Sequence, residues 1–305
     1  MNRSLQYLII PVLMLLLTSA CSMKQMAVNT VGDVLGSGGS VYESDNDIEL
    51  IGEALPFGLK LTESLLQEAP NHPGLLMSAS RGFMLYTYGY VHFDAELAAN
   101  EDIDQARAYR KRAQNLYLRA HGYALRALEL AYPGISSLLP QDPEAAMAMI
   151  ATDQKERDLP LLYWSAASLG MAISVSKQDM SMLARLPEVD ALIDKALALD
   201  PEWNVGSLYE FEISWAAARP GAMDYKRVRG YFERAEQLAQ GRRASLYLAY
   251  AEAVTIPKQQ RVAFKALIAQ ALAVDPDADP DNRLLNLIAQ RRAQWLLDQI
   301  DELFL

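Results

Sequence analysis

Apolar residues recur every three or four positions along most of this chain. Residues 104–132 are the clearest case: Tyr109, Ala113, Leu116, Ala120, Tyr123, Ala127 and Leu130 share one face, the stripe of a 3.6-residue helix. Pro133-Gly134 ends that stripe. The same reading predicts helices near 48–69, 73–92, 101–131, 142–151, 158–175, 188–199, 202–218, 224–239, 242–254, 257–274 and 280–304. Pro56 should kink or split the first of them, because it removes one ladder hydrogen bond and crowds the preceding turn. Asp142-Pro143, Asp200-Pro201 and Asp275-Pro276 mark helix starts, since proline's missing N–H is unpaired in a first turn anyway.

A weak repeat underlies the pattern. Ala196-Leu197-Ala198-Leu199-Asp200-Pro201 returns as Ala271-Leu272-Ala273-Val274-Asp275-Pro276, and looser copies end at Pro70 and Pro133. The successive proline spacings are 63, 68 and 75 residues, close to two units of the roughly 34-residue tetratricopeptide (TPR) repeat each. The expected fold is all-α, a TPR-like helical-hairpin solenoid or bundle of about 11 helices. Composition agrees: Ala and Leu total 90, against 33 for Val, Ile and Thr, a balance that favours helices over a large sheet.

The N-terminus carries an address. Arg3 precedes an eleven-residue apolar stretch from Tyr7 to Leu17, interrupted only by Pro11, too short to span a bilayer and fitting a secretory signal. Thr18-Ser19-Ala20 leads into Cys21, the single cysteine, in the manner of a bacterial lipobox. The chain is therefore read as a signal peptide over 1–20, a lipidated Cys21 with a linker over 21–46, and a TPR-like helical domain over 47–305. Acyl chains on Cys21 would hold the protein durably on a membrane, in the periplasm and by the identity of Ser22 at the outer membrane. A short helix around Ala27–Leu35 falls inside the linker. GSGGS (36–40) has neither a preceding strand nor a Lys-Ser/Thr pair, so it is no phosphate loop.

The net charge of −10 argues against nucleic-acid binding, which needs a basic face. The three histidines, His72, His92 and His121, lie outside any ligand spacing, and no metal site, cofactor or catalytic residue is expected. Glu210 and Glu212 point about 200° apart on a helix, so they cannot act as one acid–base pair; one of them should face inward and be hydrogen-bonded. Arg112, Arg119 and Arg126 form a seven-residue stripe, with Arg107, Arg110 and Lys111 nearby, read either as a solvated face or as a surface for an acidic partner. Phe83, Tyr86 and Tyr90 share a helix face; Tyr163-Trp164 and the set Trp203, Tyr209, Phe211 and Trp215 follow. Core packing is one use for such rings and the wall of an apolar cavity is another.

Six stretches resemble the TRAP transporter T-component family, TatT, periplasmic lipoproteins associated with tripartite ATP-independent transporters. They are residues 36–66, HPGLL (72–76), LYLRAHGYALRALE (116–129), LPLLYWSAASLGMAIS (159–174), WNVGSLYEF (203–211) and LIAQRRAQWLL (287–297). The resemblance implies a TPR-like fold with an apolar cleft or bore, possible homotrimers, and no enzyme activity. It implies a DctP-like periplasmic solute-binding protein as partner and an accessory role in capturing a hydrophobic or amphipathic small molecule. Phe83, Tyr86, Tyr163, Trp164 and Tyr209 are the candidate ligand-binding residues. A TPR-type protein–protein interaction scaffold of envelope assembly is the competing reading, and predicts an exposed groove instead of a bore.

Overall fold

In the computed structural model the described residues are 26, 29–34 and 41–304; the predicted signal segment, Cys21 and half of the 21–46 stretch lie outside them. All regular structure among them is helical. Ten helices have seven or more residues: α1 (Ile48–Glu68), α2 (Pro73–Tyr86), α3 (Ile103–Ala131), α4 (Lys155–Ser174), α5 (Leu186–Leu199), α6 (Ser207–Ala218), α7 (Tyr225–Ala239), α8 (Ala244–Tyr250), α9 (Arg261–Ala273) and α10 (Arg283–Asp298). Shorter turns join them, and residues 29–34 of the linker are helical too.

Acidic caps set several of the starts. The side chains of Asp47, Asp102, Asp142 and Asp224 each accept from backbone N–H groups of the turn that follows, satisfying donors that a helix leaves orphaned. Gly134 adopts a left-handed φ of 96° just beyond α3, a conformation glycine enters without steric cost. Pro56 does not split α1, which runs unbroken across it. The buried stripe Ile51, Leu55, Leu59 and Leu66 holds the helix against its neighbours on both sides of the proline, and this packing outweighs one lost ladder bond.

Two predicted helices change pitch instead of running straight. After Tyr86 the chain makes a π-helical turn, Thr87–His92, and after Tyr250 another, Ala251–Thr255. In each, a buried threonine hydroxyl donates to a carbonyl four residues back: Thr87 to Phe83 and Thr255 to Ala251, both at 2.6 Å. Such back-bonding loosens the local ladder.

The helices pack as successive antiparallel neighbours, with α3 as the spine between α2 and α4. One core runs through α1–α6, with Leu75, Leu76, Tyr117, Leu128 and Leu162 fully buried. Another joins α8, α9 and α10 around Phe264, and a smaller one lies between α6, α7 and α8. Then the array closes. Ile51 and Leu55 of α1 and Leu85 of α2 share a cluster with Leu284 and Ile288 of α10. Leu284 N–H donates to Glu43 O at 2.9 Å, and Arg283 to Ser44 O at 2.6 Å. Gly89 leaves room for this contact: a Cβ would stand 2.8 Å from Ile288 Cδ1, so that side chain would have to shift.

The arginine stripe on α3 is solvent-exposed and engaged with its neighbours. Arg119 pairs with Glu63 and lies 4.8 Å over the Phe83 ring. Arg126 donates to Pro70 O at 2.6 Å, and Arg112 to the Tyr86 hydroxyl at 3.2 Å. The stripe rivets the spine to the first hairpin.

Glu212 does face inward, at 5% exposure, but it makes no hydrogen bond to the described residues. A carboxylate placed between apolar helices is disfavoured as the anion. Burial first, then the nearby charge of Asp194, pushes its pKa up from 4.5 to about 7. The folded state therefore holds a proton that the unfolded chain has released between those values. Its contribution to stability is full below pH 4.5 and is lost as pH rises through 7. Glu212→Gln should raise stability at pH 8 by ~1–3 kcal/mol and leave it nearly unchanged at pH 4.5. Urea midpoints at the two pH values check this; an equal shift at both would refute it.

Candidate functional site

Helix α4 carries Pro160 in its second turn and presents Trp164 outward beside Tyr163. Trp203 approaches from a 3₁₀ turn that follows Asp200-Pro201. Tyr163 sits between them, its ring 5.1 Å from each and 6.4 Å from Phe211. Burial drives the Tyr163 hydroxyl up to about 12, so it stays neutral.

The turn that carries Trp203 is strained. Asn204, Val205 and Gly206 follow one another in the left-handed region, with φ of 46°, 49° and 93°. A β-branched residue there costs on the order of 1–3 kcal/mol. Buried Arg243 braces it, donating to Asn204 O at 2.8 Å and to Ser207 Oγ at 2.6 Å. Gly206 fits where a Cβ would stand 3.1 Å from the Ala235 backbone.

Beside this turn lies an open cleft of about 590 Å³. Met77, Leu130, Leu161, Trp164 and Trp203 supply apolar wall, and Arg81, Arg157 and Asn204 supply polar edges. Both guanidinium groups are already held. Arg81 forks onto Glu43 at 2.5 and 2.6 Å and lies 5.9 Å over the Trp164 ring. Arg157 donates to Asp158 and to the Tyr132 hydroxyl, each at 2.7 Å. The cleft is thus a preformed apolar trough with fixed charged rims, the usual make-up of a small-molecule site.

A second, smaller cavity of about 300 Å³ lies where the first π turn, α4, α6, α8, the second π turn and α10 converge. Arg292 of α10 donates to Glu252 at 2.6 Å and pairs with Glu96. The Tyr117 hydroxyl stands 3.1 Å from His92 Nδ1, with His92 Nε2 3.7 Å from Glu96. Burial, reinforced by Arg292, drives the His92 pKa down to about 4. Tyr88 and His92 come from the first π turn and Glu252 from the second, so both departures from α geometry face this cavity.

Of the sequence candidates, Trp164 alone lines the aromatic cleft; Tyr163 packs against Trp164 and Trp203 without lining it. Phe83 stacks on Tyr123 at 5.9 Å within the core. Tyr86 stacks on Tyr90, and Tyr209 lies against Tyr231, both at 5.9 Å; none of these three lines that cleft. Trp203, Met77, Arg81 and Arg157 were not among the candidates, and neither was the Arg292–Glu252–Glu96 group. His121, buried between α3 and its neighbours, has Nδ1 3.0 Å from Ser165 O and Nε2 3.1 Å from Arg185. A carbonyl only accepts and a guanidinium only donates, so Nδ1 carries the proton. Burial, then Arg185, lowers its pKa to about 4.

The described residues form an all-helical array of packed hairpins whose first and last long helices meet. The chain belongs to the TRAP transporter T-component family, whose model matches residues 44–304. It is an accessory component of a tripartite ATP-independent transporter. An uncharacterized protein of Treponema pallidum (strain Nichols) is 26% identical over 308 residues, covering 95% of each chain. No helix among the described residues is long and apolar enough to cross a membrane.

Proposed function

We propose that this T component captures a hydrophobic or amphipathic organic ligand in the aromatic cleft and passes it to the transporter's periplasmic solute-binding protein. The observation that carries the reading is the trough between Trp164 and Trp203, open to solvent and large enough for such a molecule. Apolar area buried there contributes roughly 25 cal/mol per Å². The strained turn at Asn204–Gly206 fixes the Trp203 ring before any ligand arrives, which lowers the ordering cost of binding. An acyl anchor at Cys21, in the periplasm, would keep the protein near its membrane partners. Nothing in this role requires catalysis.

The test is tryptophan fluorescence titration with a saturated fatty-acid series, alongside cross-linking to the solute-binding protein of the same transporter. Affinity should rise with chain length, and Trp164→Ala with Trp203→Ala should weaken it at least about tenfold, ~1.4 kcal/mol. Equal binding by wild type and the double variant would remove the cleft from the function. Failure to cross-link at any ligand concentration would remove the transfer step.

A further inference from the structure

We propose that the cavity between the two π turns, α4, α6, α8 and α10 binds a small zwitterionic solute, carrying one carboxylate and one ammonium group on a short frame. The site shares no lining residue with the aromatic cleft, and the proposal does not depend on that cleft's ligand. Its volume of about 300 Å³ is at the lower end of the small-molecule range. Its walls carry charges of both signs, which an apolar ligand would leave without compensation.

The two signs are not equally engaged. Arg292 is committed to Glu252 and Glu96. Lys177, in contrast, makes a single bond among the described residues, to Ala217 O at 3.3 Å, and keeps its other donors for a carboxylate. Glu210 Oε2 is buried in an ion pair with the Arg243 guanidinium at 3.1 Å, whereas Oε1 of this cavity-lining residue accepts no hydrogen bond among the described residues. Oε1 is the acceptor suited to an ammonium. The hydroxyls of Tyr88 and Ser245, also in the wall, have no hydrogen-bond partner among the described residues. Unmet donors and acceptors of both kinds converge on a space of solute size.

Access has a polarity as well. Lys177 and Ser174 also line an outer cleft of about 690 Å³ that contains Arg107, Arg110 and Lys111. On a chain of net charge −10, this basic entrance is a local reversal of the field, and it draws the carboxylate end of a solute first. The inner wall then meets the ammonium end with Glu210. Two wall segments are π turns, a feature that gathers at functional sites.

Isothermal titration calorimetry of the full-length chain in detergent, with 4-aminobutyrate and β-alanine as probes, tests the assignment. Saturable heat at one site per chain is expected. Butyrate and butylammonium, each carrying one of the two charges, should bind at least about tenfold more weakly. Lys177→Met at the exposed mouth and Tyr88→Phe inside should each weaken the zwitterion severalfold while far-UV circular dichroism is unchanged. Glu210→Gln should weaken it about tenfold if the variant folds, and Trp164→Ala should leave it as it is. No heat from either zwitterion, butyrate binding as tightly as 4-aminobutyrate, or wild-type affinity in both Lys177→Met and Tyr88→Phe would overturn the proposal.

Discussion

Arg292→Met should destabilise the fold by about 2–4 kcal/mol, somewhat less than breaking a fully buried ion pair by removing one partner. Arg292 is largely enclosed, its side chain 18% exposed, with carboxylates on both sides: Glu252 in the second π turn, and Glu96 in the short helix Phe93–Leu97. Their attraction holds the guanidinium charged despite its burial. Methionine fills much of the volume but leaves two carboxylates facing each other with nothing between them. The loss should appear as a lower urea midpoint with an unchanged slope. Adding Glu96→Gln and Glu252→Gln to Arg292→Met should recover a good part of it, since the uncompensated charges are then gone. A single-variant loss below about 1 kcal/mol would mean the trio is hydrated like a surface pair.

Trp215→Ala should cost about 3–5 kcal/mol, the range for emptying a large aromatic site. The indole is 2% exposed, stacks on Phe211 at 6.1 Å and packs against Gly170 of α4. Its Nε1–H also donates to Asp190 Oδ1 at 2.8 Å. Trp215→Phe separates the two contributions: it keeps most of the ring contact and loses the hydrogen bond to a charged acceptor, worth about 1.5–3 kcal/mol. Thermal and urea unfolding of both variants give the measurement. Equal losses from the two would assign the whole effect to the hydrogen bond and none to the cavity.

The helical class and most element boundaries were legible because they rest on local signals. Residues 104–132 show their stripe at three-and-four spacing and end at Pro133-Gly134, and α3 occupies that span. Asp47, Asp102 and Asp142 are readable as caps because the orphaned donors they serve are a few residues away. Pro56 misled for the opposite reason: its local penalty is visible in sequence, while the packing of Leu55 and Leu59 that overrides it is not. The π turns were hidden, since Thr87 and Thr255 look like ordinary helix residues until their hydroxyls find a carbonyl.

At the site, Tyr163 and Trp164 stood out as adjacent rings, and Trp203 could be seen as part of a later aromatic set. What brings Trp203 to Trp164 is a run of left-handed residues braced by Arg243, thirty-nine positions away from Asn204. Glu96, Glu252 and Arg292 are separated by more than 150 and by 40 residues. Each alone reads as a surface charge on a polar helix face. Only the closure of α10 onto the first hairpin makes them neighbours, and closure leaves no mark in periodicity.

That closure also limits how the architecture can vary. An open stack of hairpins tolerates gain or loss of a unit, because each repeat answers only to the one before and after it. Here Leu284 must reach Glu43, and Ile288 must pack over Gly89. An extra hairpin anywhere along the perimeter would shift that seam out of register, as an added stave does to a hoop. Length changes between relatives should therefore be confined to connecting loops, and unfolding should be a single cooperative event instead of fraying inward from a free end.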